Sequence, residues 1–296
     1  MTGLTHAAAA PQTPARVVVL GARGFVGRAI LVALARRGIA VLPLTSAELD
    51  LIGPRAADDL AGRLTADDAL VISAALTPDR GRDIAAFMKN LQMMQAICAA
   101  LAKQPVAQVV HVGSDAVYAD AASLVDEATP PSPNSLYGMM DAAREVMLAS
   151  SLKLPLALLR PTILYGVGDT HNAYGPNRFR RTAAAEQRIL LFGNGEEQRD
   201  HTHVDDVAEL IVRVVAHRSA GVLNLATGRS ASFREVAELV AAACKTPVEI
   251  VPQPRAPGAA ITHRHFDIAA RLRAFPEFQP RALAAGIAQV QEAERG

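Results

Sequence analysis

The chain has 296 residues, half of them apolar, enough to enclose one large α/β domain or a nucleotide-binding domain with a smaller companion. Lys and Arg number 30 against 29 Asp and Glu, so no global field draws the chain to nucleic acid or an anionic membrane, and any anionic ligand must be held locally. The only cysteines, Cys98 and Cys244, each lie in an apolar helical pattern, which excludes a disulfide framework and fits two buried thiols in a reducing compartment, the cytoplasm.

Residues 1–15, with Ala7 to Ala10 between His6 and Pro11, lack the basic start and apolar core of a secretory signal and read as a disordered tail. Val17–Leu20 is a β-branched strand-like run, and Val26–Arg37 is an amphipathic helical stretch closed by Gly38. Between them, Gly21-Ala22-Arg23-Gly24-Phe25-Val26-Gly27 spaces three glycines by three. A strand turning sharply into a helix needs this pattern: the first glycine takes the turn, the second admits a pyrophosphate against bare backbone, and the third lets helix pack on strand. The helix N-terminus then offers free N–H donors to the anion.

Strand-like runs at Ile39–Leu44, Ala69–Ile72, Gln108–Val112 and Leu156–Leu159 follow, with helical patterns at Asp83–Ala102 and Leu136–Ser151. That alternation predicts a doubly wound parallel sheet with right-handed crossovers. After Tyr165-Gly166 the polar, Gly/Asn/Arg-rich stretch to Gly195 predicts an excursion from the sheet. Asp205 and Asp206 open a helix running to about His217, Val222–Leu225 gives one more strand, and Ser232-x-x-Glu235 forms a capping box before Val236–Ala243. From Pro247 a short strand, a Pro/Arg/His-rich loop and a last helical segment complete the chain. The fold class is α/β: a Rossmann-like doubly wound parallel sheet with a small C-terminal substrate-binding lobe. Residues 16–165 and about 200–230 form the dinucleotide-binding domain, and 166–199 with 231–296 the lobe. No apolar run reaches the roughly 18 residues of a membrane span, so no membrane partner is expected.

Several short segments recur at the ends of the predicted strands. Asp50-Leu51 follows the second, Ser73-Ala74-Ala75 the third and Gly113-Ser114-Asp115-Ala116-Val117-Tyr118 the fourth. Tyr137-Gly138, Arg160-Pro161-Thr162 with Tyr165-Gly166, and Arg199-Asp200-His201-Thr202-His203-Val204-Asp205-Asp206-Val207-Ala208 come later. With the glycine turn, these resemble the extended short-chain dehydrogenase/reductase family, and within it the NAD-dependent sugar-nucleotide epimerases and dehydratases, over nearly the whole chain. The resemblance implies that NAD or NADP binds at Gly21, Arg23, Gly24, Phe25, Val26 and Gly27. It also implies that Asp50, beside Leu51, contacts adenine, that Ala74 and Ala75 pass beneath the cofactor, and that Pro161 lies by the nicotinamide near Tyr137.

In that family a Ser or Thr, a Tyr and a Lys four residues after the Tyr take a proton from a substrate hydroxyl as hydride moves to the nicotinamide. Ser114 and Tyr137 match the first two. The residue chemistry agrees, because a phenol with a pKa of about 10 becomes a base only beside a cation, and a serine hydroxyl can steady the reacting oxygen. The lysine position holds Asp141, one helical turn from Tyr137 on the same face, where a negative charge raises the phenol pKa. Arg144, at i+7, is the nearest cation that could substitute, or Asp141 is a solvated helix residue of a binding-only relative. Asp115 follows the serine, where the family's dehydratases carry an acidic pair; here the second place is Ala116, which disfavours a 4,6-dehydratase, and Asp115 could equally cap a turn.

No acid occupies Val41–Ser46, where one would select NAD, whereas Arg23, Thr45 and Ser46 could meet a 2′-phosphate, so the cofactor reads as NAD or NADP with a slight lean to NADP. Arg199 falls where the family's arginine binds the nucleotide diphosphate, Arg255 and Arg264 compete for a second such role, and Asn177-Arg178-Phe179 with Leu191-Phe192-Gly193 resemble segments lining the nucleoside. His201-x-His203 is read as part of the segment entering a helix, with no metal, and His111 as a packed strand residue. The function these residues imply is an NAD(P)-dependent epimerase/dehydratase-like oxidoreductase acting on a nucleotide-diphosphate sugar, epimerisation foremost. The alternatives are a catalytically silent NAD(P)-binding sensor or scaffold and a 4-keto-sugar-nucleotide reductase. By resemblance, Asp83–Ala102 and Leu136–Ser151 form the four-helix bundle of a homodimer.

Overall fold

A computed structural model describes residues 3–255 and 260–294. The first strand, β1 (Arg16–Leu20), carries the run Val17-Val18-Val19, all fully buried on alternating faces, as a central parallel strand requires. It leads through the glycine turn into α1 (Phe25–Ala35), then β2 (Val41–Leu44), a short α2 (Ala56–Ala61) and β3 (Asp68–Ile72). Next come α3 (Ile84–Lys103), β4 (Gln108–Val112), a 3-10 turn at Asp115–Val117, the two-residue β5 (Leu124–Val125), α4 (Leu136–Ser151) and β6 (Leu156–Pro161). Beyond β7 (Ile163–Tyr165), α5 (Pro176–Glu186), β8 (Arg188–Phe192) and β9 (Gln198–His203), the chain returns through α6 (Val204–Ala216) to β10 (Gly221–Leu225). It ends with β11 (Ser230–Ser232), α7 (Phe233–Ala242), β12 (Glu249–Gln253), β13 (His265–Phe266), α8 (Ala269–Ala274) and α9 (Leu283–Ala293).

Six parallel strands form the central sheet in the order β2-β1-β3-β4-β6-β10. The order reverses between β1 and β3, the switch point at which open α/β sheets bind ligands. Val17, Val19, Val71 and Leu159 face α1 and α6, while Val18, Leu20, Leu70 and Leu158 face the layer of α2, α3 and α4. Each buried aliphatic side chain contributes about 1.5–3 kcal/mol, so the two faces supply most of the stability. A separate apolar cluster, with Phe179, Ile189, Leu191, Phe233, Val236 and Ile287, joins α5, β8, α7 and α9. Ser232 and Glu235 make the predicted capping box at the start of α7.

Several expectations need correction. The leading segment does not fray from Gly3 on: Gly3 and Thr5 bridge to Val222 and Ala220, and the His6 ring stacks on His217 at 4.5 Å. The reason is that β10 is a sheet edge, whose open backbone groups this segment covers; Met1 and Thr2 lie outside the described residues, as do 256–259 of the Pro/Arg/His-rich loop and the last two residues. The strands β7, β9 and β11 form a small sheet of their own; β9, Gln-Arg-Asp-His-Thr-His, has no hydropathy signal. By length and composition α3 could cross a membrane, with a mean hydropathy of 1.2, although Lys89 interrupts its run; here it packs against α2 and α4. Cys98 and Cys244 are half-buried, not fully so.

Candidate active site

The glycine turn leaves no room for side chains. Gly21 adopts φ +83°, and a Cβ there would lie 2.7 Å from the Ala74 nitrogen, because the ends of β1 and β3 touch across the switch point. A Cβ on Gly27 would lie 2.2 Å from the Gly21 carbonyl oxygen. The N-cap of α1 is Gly24, with no side-chain cap and no acid in the first turn, so the helix presents uncapped N–H groups beside an open backbone. That cradle fits a dinucleotide pyrophosphate. Phe25 is buried under it, Val26 is half-buried, and Arg23 is exposed at its rim.

At the adenosine end the structure places an acid, Glu48, that the lean toward NADP did not weigh. Glu48 folds back so that its carboxylate accepts from the Thr45 backbone N–H at 2.8 Å and from the Thr45 hydroxyl. These bonds, with some help from Arg23, hold the Glu48 carboxyl below its usual range. An acid therefore occupies the Thr45 donors assigned to a 2′-phosphate, while Arg23 and Ser46 remain exposed. The pattern Thr45-x-x-Glu48 was the available signal, hidden because Glu48 lies beyond the strand end. Asp50 is exposed and its carboxylate accepts from the Ile52 N–H at 3.0 Å, closing a local turn, while Leu51 is part of the core. Ala74 and Ala75 are half-buried beyond β3, and Pro161 ends β6, buried and paired with Leu225.

The second half of the site is assembled by α4. Ser135 caps the helix by accepting from the Gly138 N–H at 3.1 Å, and a Cβ on Gly138 would meet the Ala116 carbonyl at 2.1 Å. The helix thus rests directly on the turn after β4, which sets Tyr137 against Ser114 and Asp115. The Ser114 hydroxyl oxygen also accepts from the Ala116 N–H at 3.1 Å.

Asp141 is no solvated residue: it is 2 % exposed, and Arg144 is 1 % exposed. An Arg144 Nη1 lies 3.7 Å from an Asp141 oxygen, while Nη2 donates to the Ala74 carbonyl at 2.6 Å. Burial first, and then the Asp141 charge, push the Tyr137 phenol well above its usual value; Arg144 and the Ser114 contact only partly oppose them. Burial raises the Asp141 carboxyl to about 7, against the opposing charge of Arg144. Arg144 therefore acts on the phenol electrostatically, but its contacts are with Asp141 and Ala74. Behind it, Arg160 forms a bidentate pair with Glu145 at 2.8 and 2.6 Å and donates to the Tyr118 hydroxyl at 2.8 Å. His111 is fully buried with neither ring nitrogen hydrogen-bonded, and burial holds its pKa well below the usual value.

Beside Tyr137 opens a cavity of about 400 Å³, lined by Leu76, Gly81, Phe87, Asn90, Ser135 and Met140 among others. On the lobe side, Arg199 donates to the Thr262 carbonyl and hydroxyl and pairs with Glu197. Arg255 pairs with Glu196 at 3.1 Å and Glu197 at 3.6 Å, so these two arginines converge on one carboxylate. Sequence reasoning missed that acidic partner, although Glu196-Glu197 sits directly before Gln198-Arg199 in the chain. Arg264 is buried against the Asp115 turn and does not join the other two arginines on Glu197. Burial raises the Asp115 carboxyl, with Arg264 and then Arg199 opposing. Asn177 is buried away from them, holding the β7 end by accepting from the Gly166 N–H and donating to the Leu164 carbonyl. Phe179 and Leu191 are packed into the lobe's core, and Phe192 is largely exposed. His203 caps α6 by accepting from the Asp205 N–H, and His201 packs edge-on to Phe233.

Comparison with known proteins gives the family and the fold. The model of the family described as "NAD dependent epimerase/dehydratase family" matches residues 17–226. A dTDP-L-rhamnose 4-epimerase from Burkholderia thailandensis is 34% identical over 124 residues, 39% of this chain and 34% of that protein, so the match spans about a third of that relative's length. Among solved structures, the UDP-glucose 4-epimerase of Thermus thermophilus in complex with NAD superposes with a TM-score of 0.80 at 22% identity, covering 95% of this chain and 99% of that one. The UDP-N-acetylglucosamine 4-epimerase of Methanobrevibacter ruminantium, in complex with UDP-N-acetylmuramic acid, gives 0.82 at 20% identity, covering 95% and 98%. At these identities the structural likeness is one of fold.

Proposed function

The chain belongs to the NAD-dependent epimerase/dehydratase family, and from that premise we propose that it inverts a carbinol centre of a nucleotide-diphosphate sugar. The observation that carries the reading is that Ser114 and Asp115 act on Tyr137, which lines a cavity of about 400 Å³, in a chain that also carries a dinucleotide cradle and, in its lobe, Arg199 and Arg255. NAD, when bound, would supply a hydride acceptor that later returns the hydride. Gly21, Gly24, Gly27 and the N-terminus of α1 would hold its pyrophosphate, and Glu48 favours an unphosphorylated ribose.

Ser114 steadies the reacting oxygen and Tyr137 exchanges its proton. Epimerisation is favoured over dehydration because Asp115 stands as a single acid beside Ala116. Arg199 and Arg255 supply fixed guanidinium charges for the diphosphate, tempered by Glu196 and Glu197. Exposed Ile84, Met88, Leu136, Met139 and Val146 all lie on α3 and α4, which supports a homodimer formed through these helices; light scattering should return twice the mass of one 31.2 kDa chain.

The test is incubation with NAD and a panel of UDP- and dTDP-sugars, followed by proton NMR. Epimer interconversion without net change in nicotinamide absorbance, lost in Tyr137→Phe, is expected. A full panel that yields neither product nor absorbance change overturns the reading. Net consumption of reduced cofactor identifies a keto-sugar reductase instead. Binding of NAD without any turnover identifies the silent relative, a reading favoured by the carboxylate at position 141.

A further inference from the structure

Tyr137 and Asp141 lie one turn apart on one face of α4, and the fold closes that face. One Asp141 oxygen is within 3.7 Å of Arg144, and the other, Oδ2, is buried with no hydrogen-bond partner. Tyr137 and Asp141 act on each other electrostatically, and Ser114 acts on the Tyr137 hydroxyl. A phenol beside a carboxylate is a poor candidate for phenolate, since the cation that would stabilise the phenolate is shared with the carboxylate and with the Ala74 carbonyl. A phenol that stays protonated can accept a proton only by passing its own onward. The group behind it, with an oxygen unclaimed by any donor, is Asp141.

We propose that Tyr137 and Asp141 form a two-membered proton relay that takes the place of the phenolate–lysine arrangement. The substrate O–H bond breaks and its proton goes to Tyr137 Oη, while the Tyr137 O–H bond breaks and its proton goes to an Asp141 carboxylate oxygen. The electron pair of the carbinol C–H bond leaves as hydride to the nicotinamide, so charge and atoms balance. On return both transfers reverse. Asp141 is thus the proton store, acting through Tyr137, with Ser114 aligning the hydroxyls.

A store that must both take and give a proton works best when its pKa lies near the working pH, and Asp141 stands at about 7. The charged or titratable groups facing it are Arg144 and Glu145 on its own helix and Asp115 from the turn after β4, with His111 of β4 beside Arg144. His111, with its pKa held well below the usual value, contributes no positive charge. Arg144 keeps the anionic form accessible; the nearby acids keep the protonated form accessible.

This inference rests on the epimerase reading, so its first test needs no turnover. Carbon NMR of labelled aspartates should show one carboxyl titrating near 7, absent in Asp141→Asn. Tyrosinate absorbance assignable to Tyr137 by comparison with Tyr137→Phe should be absent below about pH 10. In turnover, Asp141→Asn should remove the near-neutral limb of the pH profile and lower kcat by about 100-fold or more, and Asp141→Glu should restore part of both. An Asp141 ionised from about pH 5 to 9, or a Tyr137 tyrosinate at neutral pH, overturns the relay even if epimerisation is observed. A titrating Asp141 in a protein that turns over no nucleotide sugar overturns the functional reading and the relay's part in it.

Discussion

Arg264 donates from Nη1 to the backbone carbonyl of Asp115 at 3.0 Å and approaches its carboxylate at 3.3 Å. Its Nη2 donates to the Ala119 carbonyl at 2.9 Å, so one guanidinium fastens the turn after β4 to the C-terminal lobe. Arg264→Ala removes charged hydrogen bonds from a buried site and should lower stability by about 2–4 kcal/mol, measured by urea denaturation. It should also lower kcat, because the turn carrying Ser114 loosens. Arg264→Lys should rescue little, since an ammonium on a narrow stem lacks the fork that spans both carbonyls.

Among the described residues, Glu145 is the sole carboxylate bonded to buried Arg160, on two parallel N–H···O contacts. Replacing it with Ala strands a guanidinium that burial would otherwise disfavour, a loss on the order of 3–5 kcal/mol. The measurement is the thermal midpoint of Glu145→Ala against Glu145→Gln, the amide retaining one acceptor. Equal stability of wild type and Glu145→Ala would contradict the assignment.

Asp141 makes stability depend on pH in an unusual direction. Its carboxyl is raised in the fold from 3.8 to about 7, so the folded chain holds a proton that the unfolded chain releases between those values. The associated stability is fully present below about pH 4 and lost as pH rises through 7, at a cost on the order of 4 kcal/mol. Asp141→Asn should therefore unfold at a higher temperature than wild type at pH 8, with the difference shrinking at pH 5. Measuring both variants at both pH values isolates the effect from general acid sensitivity.

Glu48 should set cofactor choice. Its carboxylate repels a 2′-phosphate and already holds the Thr45 donors, so calorimetry should find NAD bound at least about tenfold more tightly than NADP. Glu48→Gln should narrow that ratio by improving NADP affinity, with NAD affinity little changed.

Gly27→Ala drives a Cβ into the Gly21 carbonyl, which is backbone and cannot swing away. Relief requires α1 to move off β1, costing about 1–3 kcal/mol and spoiling the cradle. NAD affinity should fall more steeply than stability. Gly38→Ala, where nothing lies within 4 Å but φ is +62°, serves as a control that affects stability alone.

Local patterning sufficed wherever a residue's role depends on near neighbours. Val17–Leu20, the three glycines and Ser232-x-x-Glu235 specify a strand, a tight turn and a capped helix within a few residues, and the parallel sheet follows from their alternation. Hydropathy could not announce β9, because its polar side chains are satisfied by partners far along the chain: Asp200 accepts from the backbone of Thr227, Gly228 and Arg229. The same holds for the leading segment, whose fate depends on the open edge of β10 more than 200 residues on.

The sequence by itself determined the fold class, the dinucleotide cradle and the presence of an aspartate one turn after Tyr137, since these depend on short-range spacing. Only the tertiary structure decided what that aspartate is. Burial behind Tyr137, the sharing of Arg144 with Ala74 and the unclaimed Oδ2 turn an apparent missing lysine into a protonatable carboxyl near neutrality. The physical reason is that a charge's state is set by solvent exclusion and through-space partners, which spacing along one helix does not encode.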